Sequence, residues 1–150
     1  MSQFQLIPYN RLQSYFAEQL GLDVSVGSLF NFNTEAYNKL EQFEQIAKTK
    51  LSNAPVLHVD ETGINVNGST VWLHTACTDK WTLFNAHRKR GNEAINEFGI
   101  LTNYKGVLVH DHWKPYYTYK NCLHALCNAH HLRELEWSIT EDNQSWAKKL

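Results

Sequence analysis

Residues Val107 to Tyr116 read VLVHDHWKPY. Three apolar, strand-forming residues lead into an aspartate that is fenced by His110 and His112, and Lys114-Pro115 then stops the strand. The same pattern occurs earlier, in Val56-Leu57-His58-Val59-Asp60. Each copy is a short apolar run with one histidine, closed by an acid. Strands joined by a helical crossover return parallel to the same sheet. If the strand from Val107 lies beside the one from Val56, Asp60 and Asp111 emerge together at the strands' carboxyl ends, where open α/β sheets place their ligands. Two carboxylates held close repel, so one takes up a proton or both share a cation. Mg²⁺ suits one or two carboxylates with waters and phosphate oxygens, and pairs of such ions serve phosphodiester chemistry. Aspartates also cap turns, but a matched pair on neighbouring strands favours ligation over capping.

The flanking sequence predicts the rest of an α/β fold. VLHVDETGINV, TVWLHTACT and WTLFNA, separated by turn signals at Asn67-Gly68 and Asp79-Lys80, predict an antiparallel meander. HRKRG (87–91) reads as a basic loop, Asn92 to Phe98 as a short helix, HALC (124–127) as a last strand, and a helix is expected from Asn128. Upstream, Tyr9, Leu12, Phe16 and Leu20 mark one helical face that ends at Gly21. Asp23 and Ser25 offer caps for a second short helix. A longer helix is expected from Thr34 to Leu51, broken by Asn53-Ala54-Pro55. The first two form a helix-turn-helix-like pair, an arrangement that is more often a packing unit than a DNA reader. The expected organisation is a helical segment, 1–53, before a catalytic core, 54–150.

The totals narrow the class. The chain has 150 residues, 43% of them hydrophobic and 19% charged, which suits one soluble domain with a short appendage. No apolar run reaches the length of a membrane span, and MSQFQLIPYN has no secretion signal. A cytoplasmic place of action is expected. Cys77, Cys122 and Cys127, an odd number, are expected as reduced thiols. A net charge of −1 excludes a domain that simply coats nucleic acid, so DNA contact would need local basic patches.

HVDETG (58–63), TVWLHTACT, VLVHDHWKPY and CNAHHLREL (127–135) resemble, in order and spacing, the central domain of transposases of the insertion-sequence 66 family. The likeness runs from about Pro8 to the end of the chain. It implies a ribonuclease-H-like fold, with a mixed sheet and flanking helices, and a DDE mechanism in which two aspartates and a glutamate bind two Mg²⁺ (or Mn²⁺) ions. Water would cut the element's end, and the freed 3′ hydroxyl would attack target DNA. Asp60 matches the family's first aspartate and Asp111 its second. The third acid departs from the pattern. It is expected beyond Leu150, with Glu134, or failing it Glu136, as the stand-in within the chain. The chain is accordingly expected to be a truncated remnant or one piece of a split gene. The resemblance also implies DNA as partner, a possible homo-oligomer, and a bacterial, nucleoid-associated location.

Other constellations compete. Cys122, Cys127, His130 and His131 have spacings that tetrahedral Zn²⁺ can accept, although buried thiols are the default. The resemblance places Cys127-Asn128-Ala129-His130 near the active site, with His130 touching DNA phosphate or positioning Asp111. Strand alternation puts His58 on the face of Asp60 and turns His110 and His112 away from that of Asp111, so these histidines read as packing or supporting groups. Arg88, Lys89 and Arg90 are candidate phosphate contacts, and Trp113 and Tyr116 can stack on an unpaired base. Three functions fit: an incomplete DDE transposase core, a ribonuclease-H-like nuclease, or a non-catalytic remnant that binds DNA or full-length transposase.

Overall fold

The computed structural model describes residues 1–149. Packing divides them into a unit formed by Met1–Glu44 and another from Gln45 onward. In the first unit, α1 (Tyr9–Leu20) ends where Gly21 adopts φ 64°, a left-handed cap that glycine takes without strain. Helix α2 (Val26–Lys39) starts at Ser25, whose side chain accepts the Ser28 N–H. The Asn33 amide donates to Tyr9 Oη at 2.9 Å and to Ser2 Oγ at 3.1 Å, and Leu12 and Leu29 are buried.

The helix expected from Thr34 to Leu51 is divided differently. α2 runs on to Lys39, and α3 (Glu41–Ser52) follows a break at Leu40. The Leu40 N–H is shared between the Ala36 and Tyr37 carbonyls, a tightened last turn that needs neither glycine nor proline and so leaves no mark in the sequence. The first unit ends at Glu44, within α3. Ala47 and Leu51 are wholly buried, and Leu51 belongs to the core under the sheet.

The second unit is a five-stranded sheet in the order β3-β2-β1-β4-β5. Strands β1 (Val56–Val66), β2 (Ser69–Cys77) and β3 (Thr82–His87) form the expected antiparallel meander. Asn67 and Gly68, at φ 51° and 79°, make the first hairpin turn with the backbone twist that such hairpins favour. Helix α4 (Asn92–Phe98) crosses over to β4 (Val107–His110), which pairs parallel with β1, and β5 (Leu123–Leu126) pairs parallel with β4. A 3-10 turn at Lys114–Thr118 lies between them, and α5 (Asn128–Thr140) follows β5. This is the ribonuclease-H-like arrangement, carried by strand order and direction.

Alternation sorts each strand onto two faces. Leu57 and Leu108 face a core with Ile95, Phe98, Ile100, Tyr104 and Tyr116, whereas His58 and Asp60 stand on the more open face. Entry to β4 is tight. A Cβ at Gly106 would lie 2.6 Å from the Ala54 carbonyl oxygen and 2.7 Å from that of Pro55, besides striking the Tyr104 hydroxyl. Because backbone cannot step aside as a side-chain tip can, Gly106→Ala is expected to cost about 3 kcal/mol, the upper end of overpacking penalties. Chemical denaturation would measure it, and a loss under about 1 kcal/mol would show that the strand entry yields.

Candidate active site

The β1–β4 register pairs Val56 with Val107, Leu57 with Leu108 and His58 with Val109. Continued by two residues, it sets Asp60 beside Asp111. Asp60 closes the apolar run but does not end its strand. It lies in mid β1, just past the last residue paired with β4, where β1 continues along β2 alone. Asp111 follows β4 directly. The two acids share a cavity of about 160 Å³ with His58, Val59, Thr75, Cys77, Val109, Cys127 and His130. A larger hollow of about 480 Å³, lined by Lys50, Trp81 and their neighbours, contains one acid, Asp79. Its chemistry is poorer.

Each aspartate is oriented by a backbone bond. Asp60 Oδ1 accepts the Glu61 N–H at 2.9 Å, and Asp111 Oδ1 accepts the Trp113 N–H at 2.9 Å. The second oxygen of each carboxylate is left for a ligand. Two hard oxygen donors from adjacent strands suit Mg²⁺ or Mn²⁺, which keep several waters and phosphate oxygens in their shell. The imidazole of His110, buried on the core face as alternation required, donates from Nδ1 to the Asp111 carbonyl and holds His124 through Nε2 at 2.9 Å. His130 lines the cavity, and its Nδ1 is buried with no hydrogen-bond partner.

Beneath this cavity lies a group that the sequence did not disclose. Glu61 falls on the core face, with its side chain only 1% exposed. Arg90 donates to Glu61 Oε1 from Nε at 2.9 Å and from Nη2 at 2.7 Å, while the Tyr116 hydroxyl donates to Oε2. The Arg90 guanidinium is sandwiched between Trp72, 4.8 Å from its ring centre, and Trp113, at 4.4 Å. Burial pushes the Glu61 pKa up, with the Asp111 charge adding to it, against the bonds from Tyr116 and Arg90 and the charge of Arg90. Burial, followed by the bond to Glu61, drives the Tyr116 phenol far above its ordinary value. Glu61 follows Asp60, and Tyr116 follows Asp111 by one turn. Their bond therefore ties together the two segments that carry the acids.

Several expected contacts move accordingly. Arg90 is engaged with Glu61 rather than displayed for phosphate, and Tyr116, 2% exposed, is closed to base stacking. Trp113 has one ring face under Arg90. Arg88 is exposed, and Lys89 pairs with Glu93 at 2.6 Å on the surface. The zinc constellation separates into three surroundings. Cys122 is a core thiol held protonated by burial, Cys127 and His130 line the cavity, and His131 Nδ1 lies 3.4 Å from Glu134 Oε2. Glu134 and Glu136 are exposed on α5, and neither lines the cavity of Asp60 and Asp111.

A family model described as "Transposase IS66 family" matches residues 2–150. No curated protein matches the chain. Among solved structures, a chain of the simian T-cell lymphotropic virus intasome, in its cryo-EM complex with the PP2A regulatory subunit B56 gamma, is similar at 11% identity and a TM-score of 0.39. The similarity covers 59% of this chain and 41% of that one, so this chain spans less than half of that chain's length.

Proposed function

The chain belongs to the IS66 family of transposases, and on that premise we propose that its sheet is the catalytic core of a DDE transposase, with Asp60 and Asp111 as the first two metal-binding acids. The observation that carries the reading is the shared cavity: two carboxylates from adjacent parallel strands, each oriented by a backbone N–H, meet at the carboxyl end of β4. A divalent cation held by this pair would lower the pKa of a bound water and neutralise charge on the scissile phosphate. The protein's own contributions are orientation and recognition. Glu61, Tyr116 and Arg90 fix the two aspartate-bearing segments, and His130, in the cavity wall, is the proposed contact for a phosphate oxygen entering the cavity. Arg88 and Lys89, on the exposed loop after β3, are the proposed backbone contacts. DNA is the substrate, and a pair of chains on paired element ends is the proposed assembly.

The test is a strand-transfer assay on labelled element ends with Mg²⁺ or Mn²⁺. Metal-dependent nicks that leave 3′ hydroxyls and go on to joined products are expected. Nicks without joined products would replace the proposal with a hydrolytic nuclease. DNA binding without nicks in either metal would replace it with a binding-only protein. Among the described residues no helix is long and apolar enough to cross a membrane.

A further inference from the structure

Away from the two aspartates, His112, His131 and Glu134 bring one ligand atom each within 4.8 Å of one another. It is the one group of three or more His, Cys, Asp or Glu side chains to converge in this way among the described residues. His112 stands on the loop after β4, next to Asp111. His131 and Glu134 lie one turn apart on α5, and i,i+3 spacing puts both on one face of the helix. The imidazoles of His112 and His131 have ring centres 5.5 Å apart at an interplanar angle of 71°, and Glu134 Oε2 is 3.4 Å from His131 Nδ1. Tyr117 Oη approaches His112 Nδ1 at 3.5 Å.

We propose that these three side chains form a second cation site, distinct from the aspartate pair and selective for a borderline metal such as Zn²⁺. Two neutral imidazoles and one carboxylate favour Zn²⁺, Co²⁺ or Mn²⁺, whereas Mg²⁺ and Ca²⁺ look for oxygen. Ligand atoms around tetrahedral Zn²⁺ stand about 3.4 Å apart, given bonds near 2.0–2.1 Å. The three atoms therefore close by roughly an ångström, which exposed and half-exposed side chains do by rotation. Three protein ligands leave a fourth position for water or a phosphate oxygen.

The placement gives the ion a task. No residue of the 13-residue helix α5 is fully buried. A cation shared by His131, Glu134 and His112 joins α5 to the loop that bears Asp111, and so fixes His130, at the head of α5, relative to that acid. Glu134 belongs to this clamp rather than to the aspartate pair.

The experiment titrates the full chain with Co²⁺ and then displaces it with Zn²⁺, following the visible Co²⁺ bands. The Asp60→Asn/Asp111→Asn double variant is expected to keep one equivalent. His131→Ala and Glu134→Gln are each expected to weaken binding at least tenfold, with unchanged circular dichroism because both positions are accessible. Amide exchange in α5 should slow on adding Zn²⁺ to the native chain. Loss of the equivalent in the double aspartate variant would hand Glu134 back to the catalytic pair and overturn the site. Undiminished binding in His131→Ala and Glu134→Gln would also overturn it. Sulfur-to-cobalt charge transfer in that case would identify Cys127 as the ligand.

Discussion

Asp60→Asn is expected to abolish Mn²⁺ binding at the β1–β4 cavity and to lower metal-dependent DNA cleavage at least about a hundredfold, with Asp111→Asn matching it. Groups that merely support a metal ligand change affinity or activity by about 10- to 100-fold when removed, and a direct ligand should reach at least the upper end of that range. The substitution is chosen to remove charge and spare shape. An asparagine at either position keeps an oxygen for the backbone bond now made at 2.9 Å by Glu61 N–H or Trp113 N–H, so the melting temperature should hardly move. The double variant should lose little more than either single one, because residues that act as a unit are not additive. Calorimetric titration separates this site from the α5 cluster: the binding step removed by Asp60→Asn is the one that survives His131→Ala. Cleavage by Asp60→Asn within tenfold of the native chain would sink the assignment, whatever the fate of the second cation.

Much of the sheet was legible because strands and turns write themselves locally. Alternation in VLHVDETGINV, the Asn67-Gly68 turn and the repeated apolar-acid pattern were enough to place β1, its hairpin and its parallel neighbour. The adjacency of Asp60 and Asp111 followed from the handedness of the crossover, a rule that holds without knowledge of side-chain packing. What stayed hidden depended on partners distant in sequence. Glu61 carries no motif of its own, although counting in twos from Leu57 through Val59 puts it on the core face, and that signal is present in the sequence. Arg90 looked like a phosphate contact because it sits in a basic run. Charge in a sequence carries no direction, and only the fold turns this guanidinium inward between Trp72 and Trp113. The cysteine-histidine cluster divides for a related reason, and Cys122 follows the default of a buried thiol. Close spacing across a strand and a helix start sent Cys122 into the core, Cys127 and His130 to the cavity and His131 outward.

Arg90→Ala should destabilise the protein by about 3 kcal/mol at pH 7, and by more at pH 8 than at pH 5. Breaking a buried ion pair from one side costs about 3–5 kcal/mol, since the remaining charge is left without its partner. The low end applies because the Arg90 side chain is 40% exposed although that of Glu61 is 1% exposed. The pH dependence follows from the direction of the Glu61 shift. Its pKa in the folded chain is raised above the ordinary 4.5, chiefly by burial, so the native state holds this proton more tightly than the unfolded chain does. Its contribution is therefore most favourable below the unfolded value and is lost as pH rises through the folded one. Arg90 opposes that loss by hydrogen bond and charge. Its removal moves the folded pKa higher still and extends the decline to higher pH. Adding Glu61→Gln to Arg90→Ala should flatten the dependence, because nothing titrates and the Tyr116 hydroxyl keeps an amide oxygen to donate to. Urea unfolding at pH 5 and pH 8 decides the matter. An equal deficit at both would mean that Arg90 acts by filling the space between two indoles, and the charge on Glu61 would lose its part in holding the two aspartate-bearing segments together.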